Sequence, residues 1–221
     1  MMTGLPDDPT LDEIRAAIAP ELPANAAFDG WNIAALDATA KHLGFDPDIA
    51  RVAFPGGPVD MIDAWFHSVD LTVAAKLPPD TLAPMKIRER ITALVEARLD
   101  TVAPHREAVR RALSILAMPQ NVAKGARLGW RAADHMWRLA GDTATDYNHY
   151  TKRAILGSVY GATVTVMLDD DSEGLSDTRA FLSRRIDGIM RFEKTKAQLL
   201  GRGTHRPSLS RFIGRLRYPA V

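Results

Sequence analysis

Apolar residues recur every three or four positions along most of the chain, which is the spacing of one face of an α-helix. One such stripe includes Met61, Trp65 and Val69, and a later one includes Ile91 and Val95. No segment shows the strict alternation of apolar and polar residues that is typical of a half-buried strand. The pattern predicts an all-α protein with about nine or ten helices.

Residues that begin and end helices divide the chain in the same way. The segment Thr10–Glu13 matches a capping box, and Gly141 follows an apolar stripe at a position where helices commonly end. Asp46 precedes a proline, a combination that is typical of a helix start. We interpret the acidic segment 169–174 as a solvated loop and expect Ser176 to cap the next helix.

Charge is distributed unevenly, although the formal net charge of the chain is only +1. Thirteen acidic and four basic residues precede residue 85. Residues 194–221 contain seven basic residues and no acidic one. Such an asymmetry between the two ends concerns the partners of a protein rather than its fold.

The three short helices predicted between residues 10 and 75 resemble the N-terminal helix-turn-helix domain of TetR-family regulators. This resemblance implies a TetR-like helical bundle. Binding to duplex DNA, however, requires several Lys or Arg residues that neutralise phosphates. The helix in the recognition position contains one basic residue, Arg51, together with Asp46 and Asp48. We therefore predict a degenerate helix-turn-helix without nucleic-acid binding, and a ligand-responsive TetR-type transcriptional regulator is the alternative.

The chain lacks the common sequence motifs of metal sites and covalent catalysis. It has no cysteine, no His-Glu-x-x-His motif, and no glutamate followed three residues later by histidine. Nucleophile-elbow, dinucleotide-binding and P-loop motifs are also absent. The glycine pairs Gly125/Gly129 and Gly157/Gly161 are spaced four residues apart, and we interpret them as close helix packing. We expect a protein that is not an enzyme, with no catalytic residue, metal or cofactor.

The C-terminal residues form a basic amphipathic pattern after a linker that contains glycine and proline. Apolar residues lie on one helical face and arginines lie around it: Leu209, Phe212, Ile213, Leu216, Arg211 and Arg215. This pattern is typical of an interfacial helix that is attracted to anionic lipid. A helix folded back on its own core and a disordered basic tail are the alternatives.

The sequence contains no stretch that we predict to cross a membrane. The longest uncharged run, residues 154–168, is shorter than the roughly 20 residues that a bilayer span requires. Residues 1–9 are acidic and show neither a basic nor an apolar leader region. We therefore expect a protein of the bacterial cytoplasm, peripheral to the inner membrane.

Residues 135–153 combine turn residues, aromatic residues and polar groups more densely than any other stretch. Part of this stretch resembles the signature of the ubiquinone-biosynthesis accessory lipid-binding protein family, the ninth Coq protein. The matching residues are Trp137, Ala140-Gly141-Asp142, Thr145-Asp146, Asn148 and Tyr150-Thr151-Lys152-Arg153. The stretch from Asp177 to Ile186 also resembles that family, and the whole resemblance covers most of residues 27–200.

The resemblance implies a TetR-like homodimer that binds an isoprenoid quinone precursor between its helices. It also implies a membrane contact through the C-terminal helix and support of a di-iron demethoxyubiquinone hydroxylase. On this basis we expect seven lipid-contacting residues, which are Trp130, Trp137, Tyr160, Val164, Met167, Phe181 and Ile186. We expect the hydroxylase to contact Met136, Asp146, His149 and Tyr150, with His149 standing where eukaryotic members of the family have Trp.

These expectations divide the chain into three regions. Residues 1–78 form the acidic helix-turn-helix-like region, residues 79–200 the helical lipid-binding and dimerisation domain, and residues 201–221 the linker and membrane-contact helix. Structural roles remain open for the motif: Thr145 as a helix cap, Asp142 and Asp146 as acceptors for backbone donors, and Lys152 and Arg153 as partners of nearby acids. The seven lipid-contacting residues are alternatively the ordinary core of a scaffold without ligand.

Overall fold

The computed structural model describes Pro6 and residues 8–143 and 147–201, with side chains described except at 147, 148 and 190–201. These residues contain no β-strand and form eleven α-helices, one of them only four residues long. The predicted all-α class is confirmed. The helices are α1 (Leu11–Ile18), α2 (Leu22–Asp29), α3 (Ile33–Leu43), α4 (Pro47–Ala53), α5 (Gly57–Lys76), α6 (Pro79–Leu82), α7 (Ile87–Val102), α8 (Arg106–Leu116), α9 (Val122–Leu139), α10 (Tyr147–Leu168) and α11 (Ser176–Gly201).

The chain divides into one compact unit of residues 1–182 and a second unit of residues 183–221. The first unit contains α1 to α10 and the start of α11, and the candidate site described below lies within it. The second unit contains the rest of α11. The region boundaries at residues 78 and 200 remain predictions.

Helix ends near the start of the chain follow the capping signals in the sequence. The backbone N–H of Thr10 donates to the Glu13 carboxylate at 2.8 Å, and Glu13 N donates to Thr10 Oγ1 at 3.3 Å. This pair confirms the predicted capping box of α1. At the start of α4, Asp46 Oδ1 accepts a hydrogen bond of 2.8 Å from the backbone N–H of Asp48.

Two short helices, α2 and α6, are not among the helices predicted from the sequence. α2 has eight residues and α6 has four, so neither is long enough to show a periodic apolar stripe. α2 nevertheless buries Leu22, Pro23 and Ala26, because it packs against α3 and α8. Tertiary packing rather than local propensity therefore stabilises this helix.

The acidic segment 169–174 is not simply the solvated loop that we predict from the sequence, because Asp170 is buried. Its carboxylate accepts hydrogen bonds of 2.9 Å from the backbone N–H groups of Ser172 and Thr178, and it also accepts from both hydroxyl groups. These bonds, above all those from the two hydroxyls, hold the pKa of Asp170 far below its usual range. Asp170 therefore connects the loop to the first turn of α11.

A core that joins α1–α4 to the later helices holds the first unit together. Trp31 Nε1 donates to the backbone carbonyl oxygen of Ala108 on α8 at 2.9 Å, and the Trp31 ring lies 5.3 Å from that of Trp65 on α5. Both tryptophans are almost fully buried. α5 packs against α7, α8 and α9, and α10 packs against α7, α8 and α9. These five helices surround the candidate site.

Candidate functional site

The turn after α9 has the geometry that the glycine in the sequence predicts. Gly141 adopts a φ of +91°, a left-handed conformation that favours glycine. Its N–H donates to the carbonyl oxygen of Arg138 at 3.0 Å, and Asp142 N donates to that of Trp137 at 2.9 Å. These two bonds satisfy carbonyl groups at the end of α9 and turn the chain toward α10.

A buried network of charges connects this turn to both helices. Arg153 is 2% exposed, and its guanidinium donates to carboxylate oxygens of Asp134 and Asp142 and to the backbone carbonyl oxygen of His149. Lys152 Nζ donates to Asp142 Oδ1 at 2.7 Å. Partial burial raises the pKa of Asp142, but the hydrogen bonds from Lys152 and Arg153 lower it by more, so the net shift is downward. The interpretation of Lys152 and Arg153 as partners of nearby acids is confirmed.

Trp137 stabilises the contact between α9 and α10, whereas its neighbour Met136 lies in the core. Trp137 Nε1 donates to the carbonyl oxygen of Lys152 at 3.0 Å, and Lys152 Nζ lies 5.2 Å from the centre of the Trp137 ring. Met136 is fully buried. The expectation that Met136 faces a docked partner is therefore corrected, because a side chain in the core offers no surface to that partner.

Three aromatic side chains, Trp130, His149 and Tyr150, form a cluster on the surface, which we call the aromatic cluster. The ring of Tyr150 lies 5.1 Å from that of His149 and 6.0 Å from that of Trp130. Tyr150 is 61% exposed and Trp130 is 38% exposed. Trp130 was predicted to contact lipid in a pocket, and the structure places it on the surface beside two of the predicted partner-binding residues.

An apolar cavity of about 240 Å³ lies among α5, α7, α8, α9 and α10. Its apolar walls include Phe66, Val102, Val109, Leu113, Leu116 and Val164. Gly161 and Thr165 line the cavity and are also exposed, so it meets the surface along α10. The cavity can hold an apolar ring or a short chain, since an engineered apolar cavity of about 150 Å³ binds benzene.

The structure brings together two of the seven predicted lipid-contacting residues, Tyr160 and Val164, in the wall of this cavity. Met167 is fully buried and Phe181 is half-buried, and neither is part of that wall. Ile186 belongs to the second unit. Their contact with lipid remains a prediction.

The four paired glycines do not all serve close helix packing, contrary to the sequence interpretation. A Cβ atom added at Gly129 or Gly161 would meet no heavy atom within 4 Å, although both residues line the cavity. A Cβ at Gly125 would lie 3.2 Å from the Leu116 Cβ and 3.3 Å from its carbonyl oxygen. Gly125 therefore permits a close approach of helices, whereas Gly129 and Gly161 leave open space in the cavity wall.

Arg98 supplies a charged group to the cavity wall and is not among the residues predicted from the sequence. It is 1% exposed, it pairs with the buried carboxylate of Asp70, and its Cζ lies 5.1 Å from the centre of the Tyr160 ring. Burial lowers the pKa of Arg98, but Tyr160 and Asp70 raise it by more, so the guanidinium stays charged. Arg98 lies in the apolar stripe between Leu94 and Val102, and this position was the signal that its side chain is buried.

Several predicted residues lie outside the part of the chain that the structure describes. They are Thr145, Asp146, Leu209, Phe212, Ile213, Leu216, Arg211 and Arg215. Among the described residues, no three His, Asp or Glu side chains come together as a candidate metal site. No helix within the described ranges is both long and apolar enough to cross a membrane.

The chain is similar to proteins named for ubiquinone biosynthesis. A family model described as COQ9 matches residues 122–193. The rat protein named "Ubiquinone biosynthesis protein COQ9, mitochondrial" is 42% identical over 109 residues, which are 49% of this chain and 35% of the rat protein. The human protein of the same name is 40% identical over 109 residues, 49% of this chain and 34% of its own length. "Ubiquinone biosynthesis protein COQ9-B, mitochondrial" of Xenopus laevis is 38% identical over 181 residues, 79% of this chain and 61% of the frog protein.

A solved structure shares the architecture of the chain. The crystal structure of the TetR transcriptional regulator from Nitrosomonas europaea ATCC 19718 matches with a TM-score of 0.63 and 23% sequence identity. The match covers 79% of this chain and 96% of the regulator. At this identity the likeness shows the fold alone, and the predicted TetR-like bundle is confirmed.

The predicted location in the bacterial cytoplasm is wrong in the light of these comparisons. The rat, human and frog relatives are all named as mitochondrial proteins. The prediction depended on the composition of residues 1–9. A targeting signal is not part of the folded domain, and therefore the composition of residues 1–9 does not identify the compartment of the protein.

The match to the family model contains the elements that carry the site. Residues 122–193 include all of α9 and α10, and with them the aromatic cluster, the buried charge network and one side of the cavity. The chain spans about a third of the length of the two mammalian relatives that it matches. Its residues 122–193 match the COQ9 family model, its relatives are named for ubiquinone biosynthesis, and it has a TetR-like fold.

Proposed function

We propose that this chain is a non-enzymatic, lipid-binding accessory protein of ubiquinone biosynthesis. It holds the ring end of a polyprenylated quinone precursor in the cavity among α5 and α7–α10, and it presents this precursor to a membrane-associated di-iron hydroxylase. The observation that carries the proposal is a cavity whose wall contains two glycines with open space beside them, and both glycines lie in the region that matches the COQ9 model.

The size of the cavity limits what part of the lipid it can enclose. About 240 Å³ accommodates a substituted ring and the first carbons of a chain, but not a long polyprenyl tail. The polyprenyl tail leaves the cavity beside Gly161 and Thr165, which line the cavity and are also exposed. From there it follows an exposed face of α10 that carries the uncharged residues Ala154, Ser158 and Ala162. Each CH₂ group that becomes buried contributes about 0.8 kcal/mol to binding.

The aromatic cluster is the surface that we assign to the hydroxylase partner. Exposed Trp and Tyr side chains supply large contact areas and are common energetic centres of protein interfaces. Trp130 joins His149 and Tyr150 in this assignment because the three rings are in contact. Contact with the membrane through residues 201–221 and a homodimeric state remain predictions.

Genetic complementation tests the proposed function. Deletion of the gene should lower ubiquinone and raise its demethoxy precursor, as measured by mass spectrometry of lipid extracts. Wild-type protein should restore ubiquinone, whereas Gly129→Phe, which fills the cavity, should not. Ala123→Phe is the matched control because Ala123 is exposed on the same helix. Normal ubiquinone in the deletion strain, or full rescue by Gly129→Phe, would contradict the proposal.

A TetR-type transcriptional regulator is the second candidate, because the fold itself favours it. The helix in the recognition position, α4, argues against DNA binding by this chain. Arg51, the one basic residue of α4, donates to Asp37 at 3.0 Å and to Asp48 at 2.8 Å. Its guanidinium is therefore already hydrogen-bonded to carboxylates of the same protein. Salt-sensitive, sequence-selective retardation of promoter DNA at low ionic strength would favour the regulator.

A further inference from the structure

Arg98, a residue of the cavity wall, carries a polar group to which the proposed function assigns no role. Arg98 Nε is buried and has no acceptor within the part of the chain that the structure describes. The other walls are mainly apolar side chains and glycines. A buried donor without an acceptor carries a desolvation penalty, which an oxygen atom of a ligand would remove.

Arg98 belongs to a group of four charges that sum to zero. Its guanidinium pairs with Asp70, and the second carboxylate oxygen of Asp70 lies 3.8 Å from Arg131 Nε. Arg131 in turn pairs with Asp63. A ligand carboxylate or phosphate would add an uncompensated negative charge to a site of low dielectric constant. A neutral carbonyl or phenol oxygen accepts the same hydrogen bond without that cost.

We propose that Arg98 recognises a neutral ring oxygen, the carbonyl of a quinone or the oxygen of a phenol, which accepts a hydrogen bond from Nε. This inference rests on the proposed function, because it requires the ring of a lipid to enter this cavity. Space for the ring exists beside Gly129 and Gly161, where an added Cβ would meet nothing within 4 Å. Tyr160, whose ring lies beside the Arg98 guanidinium, provides a flat wall for it.

Calorimetric titration with three compounds that share a decyl chain on a six-membered ring, and carry two carbonyl oxygens, no polar group or a carboxylate on that ring, tests the inference. The probes are 2-decyl-1,4-benzoquinone, decylbenzene and 4-decylbenzoate. Wild-type protein should bind the quinone at least tenfold more tightly than decylbenzene, and it should bind the benzoate at least tenfold more weakly than the quinone. In Arg98→Lys, which keeps a cation for Asp70 but removes the Nε–H, the preference for the quinone over decylbenzene should fall to within about twofold of unity. Arg88→Lys, at an exposed position of the same helix, should keep the wild-type preference.

The outcomes separate this inference from the proposed function. Tight and equal binding of the quinone and decylbenzene to wild-type protein would overturn the role of Arg98, with the cavity still a lipid site. Tighter binding of the benzoate than of the quinone would overturn the inference that the ligand is neutral. Binding of none of the three would overturn the proposed function together with the inference. The wild-type comparison decides the matter even where Arg98→Lys does not fold.

Discussion

Replacing Gly129 with alanine should stabilise the protein, because the added methyl group would enter empty space instead of meeting another helix. Gly129 lies inside α9, and a Cβ at this position meets no heavy atom within 4 Å. Alanine is favoured over glycine in a helix interior by about 1 kcal/mol. The new methyl group also covers part of the apolar wall, which adds up to about 0.8 kcal/mol.

Gly125→Ala is the matched comparison, four residues earlier on the same helix. Its Cβ would lie 3.2 Å from the Leu116 Cβ and 3.3 Å from the Leu116 carbonyl oxygen, so the two helices would have to move apart. Overpacking of this kind costs about 1–3 kcal/mol, which cancels or exceeds the gain in helix propensity. The two substitutions are chemically identical, and only the surroundings differ.

Thermal unfolding followed by circular dichroism measures the difference. A gain of 1–2 kcal/mol corresponds to a rise of about 2–8 °C in Tm for a domain of this size. Gly129→Ala should show this rise, and Gly125→Ala should show no change or a decrease. Equal shifts of the two variants, or a decrease in Gly129→Ala, would refute the reasoning that Gly129 borders a cavity.

Three further predictions follow from the charge network and the aromatic cluster. Arg153→Met should lower the free energy of unfolding by about 1.5–3 kcal/mol, because it removes a buried guanidinium from two carboxylates that keep their pairs with Lys152 and Arg138, and unfolding in urea measures this loss. Asp142 has a lowered pKa in the folded protein, so it stabilises the fold above its ordinary pKa and loses this effect as the pH falls through the folded pKa. The stability lost in Asp142→Asn should therefore be largest near neutral pH and should shrink toward pH 3 in denaturation series. Tyr150→Ala should change stability by less than about 0.5 kcal/mol but weaken capture of the hydroxylase, whereas Phe28→Ala, at a side chain 84% exposed, should leave capture unchanged.

Helix ends could be predicted because they depend on a few neighbouring residues. Thr10 and Glu13 complete a capping box through local hydrogen bonds, and Gly141 ends α9 through its own φ of +91°. The family resemblance likewise depended on a contiguous motif. The prediction of a solvated loop at residues 169–174 was wrong for Asp170, because its role as an acceptor depends on Thr178, eight residues away, and not on its immediate neighbours alone.

The depth of individual side chains could not be predicted from periodicity. α9 carries apolar residues on more than one face and packs against α5, α7, α8 and α10, and in this packing Met136 is fully buried while Trp130 is 38% exposed. For Arg98 the position in the apolar stripe indicates burial, but it does not indicate the partner that makes burial of a charge possible. Its burial requires the carboxylate of Asp70 on another helix, and a pairing between α5 and α7 is a property of the tertiary structure.

Analysis of the lipid that co-purifies with the protein tests the central claim most directly. Wild-type protein expressed in cells that make ubiquinone should release an isoprenoid quinone or quinone precursor on denaturing extraction, detected by mass spectrometry. Gly129→Phe should carry at least tenfold less, and the surface variant Ala123→Phe should carry as much as wild type, with all three equally helical. Absence of isoprenoid lipid from repeated wild-type preparations, or equal amounts in Gly129→Phe, would contradict the assignment of this cavity as the lipid site.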